Sequence, residues 1–299
     1  MGTDGTSNTV QSDENLLAIL RAIREDDRHG VTEIAEELDM AKSTVHGHLT
    51  TLEEHGFLDR TDGQYDVGFR FLDYGIFARN NHPLFKAAKQ SVDELAEETN
   101  ERAWCVIERN GQAVYLYGAT GRRAIQTHEH VGEHRTLHDI AAGKAILAFL
   151  PDERIEEIVE ATDLEAADTT RPSSEGDPVS ARQAILSDAP RQFLADDDFD
   201  EDFEEMDLDA ETERTITTHD DIYNELAEIR ERGIAFNFEE SMEGVHAAGA
   251  PIRRVDGGVY GAISVGGPAR RMTKDRLTND IADMLLGMAN EIEVNIRHQ

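Results

Sequence analysis

The chain has 299 residues, room for one small and one medium domain, and 39% of them are hydrophobic, enough to build proper cores. Its 62 acidic against 29 basic residues give a formal net charge of −33, and only five of the basic residues are lysines; in molar salt, where the Debye length falls to about 3 Å, the self-repulsion of such a chain largely disappears, so the composition reads as halophilic. One cysteine, Cys105, excludes an internal disulfide, no apolar run approaches the ~18 residues of a membrane span, and the polar first dozen residues do not resemble a signal peptide, so a cytoplasmic location is expected.

Residues 1–12 are expected to be a disordered tail and 13–68 a small separate domain. From Glu14 to Asp27, Leu16, Leu17, Leu20 and Ile23 fall on one helical stripe that stops at His29-Gly30. Thr32 is placed to cap a short second helix burying Ile34, Ala35 and Leu38, and Ser43 to cap a third whose inner stripe is Val45, Leu49 and Leu52. Gly56 ends that helix. Phe57-Leu58, an Asp62-Gly63 turn, then Tyr65 and Val67 alternate as a hairpin does. Three helices with a short turn between the second and third, followed by a hairpin, make a winged helix-turn-helix. In that motif the third helix enters the major groove, which nominates Lys42, Ser43, Thr44, His46 and His48 as base-facing groups and Arg60, at the base of the wing, as a phosphate contact. The alternative is a plain helical bundle. Residues 14–68 hold thirteen acidic and five basic side chains, the reverse of the usual basic footprint, which leaves open a head that contacts protein partners rather than DNA. Counterion release contributes little in molar salt, and the acids gather in the first two helices, away from the start of the third. Gly47, in the middle of that helix, is at odds with helix propensity.

Residues 69–82 read as a linker helix, apolar and aromatic on one side, that packs on a second subunit. The rest, 83–299, reads as a ligand-sensing α+β domain. A helix follows Pro83; Ala103–Glu108 and Ala113–Tyr117 flank an Asn110-Gly111 turn; Ala141–Leu150 reads as a buried helix; Ala248–Arg253 and Gly258–Val265 pair around Asp256-Gly257-Gly258; helices are expected at 218–232 and 273–297. An acidic insertion spans about 164–213, read as a solvated loop.

Three segments carry a family resemblance: AKSTVHGHLTTLEEHGFLDR, VGEHRTLHDIAAGKAILAFLP, and RERGIAFNFEESMEGVHAAGAPIRRVDGGVYGAISVGGPARRMT. In order and spacing they resemble the isocitrate lyase regulator (IclR) family of transcription factors. The resemblance implies a GAF-like effector domain that binds a small organic acid, and a homodimer or homotetramer on double-stranded DNA. Carried over residue by residue, it places Ala142, Gly143, Asn237, His246 and Ser264 in the effector pocket. Asn237 stands where many relatives have an acid, and His246 where many have a cysteine; amide and imidazole can both donate to a carboxylate.

No enzyme is expected, since neither a GxSxG, a Walker A nor a GxGxxG segment occurs. No cofactor is implied. The cluster His128, His130, His134 and His138 could be read as a zinc site, but surface histidines are the commoner explanation and no metal is expected. Cys105, in the apolar run AWCVI, reads as a small buried hydrophobe rather than a nucleophile.

Overall fold

A computed structural model describes residues 9–25, 30–125, 129–168, 212–216 and 218–298. The described residues divide into two compact units, with the boundary between Phe77 and Ala78. Most of the acidic insertion, residues 169–211, lies outside the described residues, as do His29, His128 and the first eight residues.

The N-terminal unit is built from α1 (Gln11–Glu25), α2 (Val31–Glu37), α3 (Lys42–Glu54) and a hairpin of β1 (Leu58–Thr61) and β2 (Gln64–Val67). Its core is the set of apolar side chains that helical periodicity picks out, Ile19, Ile23, Ile34, Val45, Leu49 and Leu52, closed by Leu58 and Tyr65 from the hairpin. Asp62 and Gly63 turn between the strands with φ of 55° and 89°, the pair of positive angles that a tight hairpin requires. Gly56, at φ 73°, lets the Phe57 amide reach back to the Leu52 carbonyl and so ends α3 in a Schellman turn. The helix starts differ from expectation. Gln11 and Ser12 already belong to α1. The N-cap of α2 is Gly30, whose amide donates to the Glu33 carboxylate at 2.6 Å, and that of α3 is Ala41, so neither Thr32 nor Ser43 caps a helix.

Helix α4 (Arg70–Asn81) buries none of its residues. Phe71 and Tyr74 touch the Phe57 ring, at centroid separations of 4.9 and 5.5 Å, but Leu72, Tyr74, Ile76 and Phe77 remain well exposed, as does Phe69 just before the helix.

The C-terminal unit is a six-stranded antiparallel sheet in the order β5-β4-β3-β8-β7-β6, covered on both faces by helices. Its strands are β3 (Arg102–Arg109), β4 (Gln112–Thr120), β5 (His134–Arg135), β6 (Ala235–Phe238), β7 (Val245–Arg253) and β8 (Val259–Pro268). Alternation along the strands sorts the side chains into two cores. Ala103, Cys105 and Ile107 of β3, Ile263 and Val265 of β8, and Ala248, Ala250 and Ile252 of β7 meet α5 (Pro83–Thr99) and the C-terminal helix. That helix starts as one turn, α9 (Lys274–Arg276), passes through a π turn (Leu277–Ile281), and continues as α10 (Ala282–Arg297). Trp104 and Val106 of β3, Tyr115 of β4 and Ala262 of β8 face the other way, toward α6 (Ala141–Leu147), α7 (Asp152–Asp168) and α8 (His219–Arg232). This is the expected α+β arrangement, with α7, β5 and β6 added to the predicted elements.

Two glycines let α6 lie directly on its neighbours. A Cβ at Gly143 would stand 2.2 Å from the Leu137 carbonyl oxygen, and one at Gly249 of β7 would stand 2.8 Å from the Ala141–Ala142 backbone. Every residue of α6 is buried, Lys144 included. The Lys144 ammonium lies 2.5 Å from a Glu240 carboxylate oxygen and 3.4 Å from Glu225 of α8, and Glu225 also meets Arg232 at 2.7 Å. Burial pushes the Glu240 carboxyl above its ordinary value, and the Lys144 charge opposes that rise.

Candidate functional site

Two places can meet a ligand, one in each unit. The first is the outer side of α3. With Val45, Leu49 and Leu52 turned into the core, helical geometry leaves Lys42, Ser43, Thr44 and His46 exposed and His48 half-buried at the flank. No acidic residue stands in the first turn. Lys42 leans toward α2, 3.4 Å from the Thr32 hydroxyl and 3.6 Å from the Glu36 carboxylate, an exposed pair of little energetic weight that can be exchanged for another anion. His46 and Thr50, one turn apart, join through Nδ1 and Oγ1 at 3.1 Å. The imidazole and hydroxyl thus sit side by side as two polar groups of adjustable hydrogen-bond sense. Gly47 lies on the same outward face, and a Cβ there would meet nothing within 4 Å, so no packing within the unit demands a glycine. In the hairpin the Arg60 guanidinium rests 5.4 Å from the Tyr65 ring centre and is exposed.

The second place is a cavity of about 60 Å³ between the sheet and the start of α6, within the C-terminal unit. Strand register builds its floor. Trp104 stands across from Gly118 on one side and Ser264 on the other; in the next row Arg102 faces Gly266, Gly266 faces Ala247, and Ala247 faces Asn237. Ile140 and Ala141 contribute from the start of α6, and Ser241 from the turn after β6. Arg102 is the cation of the lining. Its Cζ lies 4.5 Å from the Trp104 ring centre, its Nη2 donates to the Glu129 carbonyl at 2.8 Å, and burial lowers its pKa. Tyr115 stacks edge-on to Trp104 at 4.6 Å, and burial raises its phenol's pKa.

Of the five residues carried over to a pocket, Asn237 and Ser264 line this cavity, and Ala142, Gly143 and His246 do not. Alternation along β7 explains His246. Val245 and Ala247 face the cavity, so His246 points to the opposite layer, where its Nδ1–H donates to the Met272 carbonyl at 2.8 Å and its ring meets Phe238. Ala142 packs into the core around α6, and Gly143 rests on the Leu137 backbone. Asn237 itself is committed: its amide nitrogen donates to the Asp139 carbonyl at 2.6 Å and to the Ser241 hydroxyl at 3.2 Å, while its oxygen accepts from the Glu240 amide. It therefore holds the floor together rather than offering a spare donor. Sequence reasoning missed Arg102, Trp104, Tyr115 and Ser241. The available signal was the parity of β3, which puts Arg102 and Trp104 on one face, together with the chain's one tryptophan.

Cys105, fully buried on the far face of β3, has its thiol pushed up to about 12 by burial, which keeps it protonated and unreactive. Among the described residues no three His, Cys, Asp or Glu side chains gather as a metal site, and no helix is long and apolar enough to cross a membrane.

Residues 14–62 match the model of the IclR helix-turn-helix domain, and residues 77–174 and 190–294 match that of the C-terminal domain of the bacterial IclR transcriptional regulators. Over 98% of its length the chain is 29% identical to the probable HTH-type transcriptional regulator ArcR of Halobacterium salinarum, covering 96% of that protein. It is 26% identical to the HTH-type transcriptional regulator KipR of Bacillus subtilis, over 88% of this chain and 89% of that one. Among solved structures, the Thermotoga maritima IclR is similar with a TM-score of 0.65 and 24% identity, over 95% of this chain and 96% of that one. An IclR homolog of Microbacterium hydrocarbonoxydans complexed with 4-hydroxybenzoate is similar with a TM-score of 0.69 and 16% identity, over 96% of this chain and all of that one.

Proposed function

Because this chain belongs to the IclR family of helix-turn-helix transcriptional regulators, we propose that α3 reads duplex DNA through Lys42, Ser43, Thr44 and His46, and that a small organic acid held in the sheet cavity modulates that reading. The observation that carries the proposal is the outer face of α3: exposed, free of acid in its first turn, and rich in groups that can donate to base edges, in a chain that is otherwise strongly acidic. Arg60 flanks that face as a phosphate contact, and His48, half-buried at the flank, is moved from the base-facing set to the same role. In the cavity, Arg102 supplies the charge that an acid needs, the hydroxyls of Ser241 and Ser264 supply hydrogen bonds, and Asn237 fixes the geometry of the floor. That an IclR homolog is complexed with 4-hydroxybenzoate supports an acidic effector. The family consists of regulators, so the cavity is read as a sensor, not as a catalytic centre.

The test is selection from a random duplex library in molar KCl, followed by titration of the selected duplex with short-chain organic acids. The wild type should enrich one two-fold-symmetric sequence, and an effector acid should change its affinity by about 5–150-fold, the usual range of allosteric coupling. Failure to enrich any sequence at any salt concentration would favour the other reading, an acidic head that contacts protein, which the thirteen acids of residues 14–68 motivate.

A two-fold-symmetric site asks for two reading heads. The exposed Leu72 and Ile76 of α4, one turn apart on a helix that buries no residue of its own, fit a second copy of the chain. Sedimentation of the wild type in molar KCl should give the mass of a dimer or tetramer, and the double change Leu72→Ser, Ile76→Ser should lower it. An unchanged mass would remove α4 from the interface.

A further inference from the structure

We propose that Gly47 leaves a notch in the outer face of α3 that seats the 5-methyl group of one thymine in each half-site, which makes it a specificity-determining residue; the inference rests on the reading of α3 as the element that meets DNA. Gly47 is two residues from both Val45 and Leu49, so it lies roughly 160–200° around the helix from side chains that anchor α3 in the core. The position that faces furthest outward therefore carries no side chain. A glycine in mid-helix is destabilising relative to alanine. Nothing inside the unit asks for one, since a Cβ at Gly47 would meet no other part of the unit within 4 Å. The loss of helix stability has its counterpart in what the helix approaches.

The surroundings of the notch decide what it can take. Ser43 and Thr44 stand one turn before Gly47, and Thr50 and Thr51 one turn after it. Thr50 is joined to His46 at 3.1 Å, and the Thr51 hydroxyl donates to the Gly47 carbonyl at 2.9 Å. That carbonyl also accepts the helical amide of Thr51, so both its lone pairs are used, and the Gly47 amide is spent in the same way on Ser43. The floor of the notch thus offers no donor to a phosphate and no acceptor to the amino groups of adenine or cytosine. What it offers is apolar contact with a bare Cα, and the apolar group on the major-groove edge is the thymine methyl. Ser43 and Thr44 remain to hydrogen-bond the neighbouring base edges.

The test measures binding of the full-length wild type and Gly47→Ala, in molar KCl, to the selected duplex and to copies in which deoxyuridine replaces one symmetry-related pair of thymidines at a time. That replacement removes the methyl and nothing else. At one pair the wild type should prefer thymine about three- to fivefold per half-site, the worth of one buried methyl. Gly47→Ala should bind the thymine duplex at least tenfold more weakly than the wild type does. At the same pair its preference should invert to uracil by at least fivefold, because the added Cβ occupies the place of the methyl. A melting temperature no lower than that of the wild type shows that the loss is not one of folding. A merely structural role for Gly47 would move affinity for every duplex alike and invert no preference. Equal binding of the thymine duplex by both proteins, no pair at which the preference inverts, or a selected sequence without thymine overturns the notch while leaving α3 as the reading head. Failure to select any duplex overturns both.

Discussion

Replacing Lys144 with methionine is expected to cost about 3–5 kcal/mol of unfolding free energy at neutral pH, as is usual when one partner of a buried charge pair is removed. The methionine keeps most of the volume but strands Glu240 and Glu225, both largely buried, facing one another across the space the ammonium filled. Arg232 still reaches Glu225, so Glu240 bears most of the loss. The pH dependence gives the diagnosis a sign. Glu240 already has a raised pKa in the folded state because burial outweighs the attraction of Lys144. A raised carboxyl contributes stability that is fully present below its unfolded pKa and is lost as pH rises through the folded one. Without Lys144 the rise is larger, so the variant's deficit should shrink between pH 7 and about pH 5 as Glu240 takes up its proton. Denaturant unfolding at the two pH values checks this. A deficit that is the same at both would mean that the loss is one of packing and not of charge compensation.

A second large effect comes from adding one methyl group at either of two glycines. Gly143→Ala and Gly249→Ala should each destabilise by about 1–3 kcal/mol or more, the cost of overpacking, because the new Cβ would meet backbone atoms that cannot swing aside. Both press on the same helix, the one whose start forms a wall of the cavity, so acid binding should weaken along with stability. Gly47→Ala should have the opposite sign, stabilising by about 0.5–1 kcal/mol, since the position is helical, exposed and open. Thermal melts of the three variants decide the matter. A Gly143→Ala protein as stable as the wild type would show that α6 can lift from Leu137 at no cost. If Gly47→Ala is more stable yet binds the selected duplex less tightly, the glycine is there for close approach to DNA.

The contrast between those glycines marks what could and could not be read in the chain. Local rules found α1 to α3, the Asp62-Gly63 and Asn110-Gly111 hairpins and the long terminal helix, because periodicity and turn chemistry act over a few residues. They placed helix ends less well. Glu33 supplies a cap to the Gly30 amide where Thr32 was expected to start the helix. The four-residue β6 was missed because Asn237, on its inner face, interrupts the apolar alternation. With β7 taken to begin at Ala248 and not at Val245, the parity that turns His246 away from the cavity could not be applied. Other features were out of reach of any local rule. Lys144 and Glu240 lie 96 residues apart in the chain, and no spacing pattern links them. The reason for Gly143 is the carbonyl of Leu137, which only the folded chain brings under it.

The central claim is that α3 is the reading head, and the most direct measurement is the affinity of the selected duplex for the wild type and for the variant Lys42→Ala, Thr44→Ala, His46→Ala, both in molar KCl. All three side chains are exposed, so the variant should melt near the wild-type temperature. Its specific affinity should fall at least tenfold, since a single good base contact is worth about 1–3 kcal/mol of discrimination. In molar salt that loss cannot be ascribed to phosphate attraction alone. A folded variant that binds the selected duplex as tightly as the wild type would contradict the assignment of α3 as the element that reads DNA.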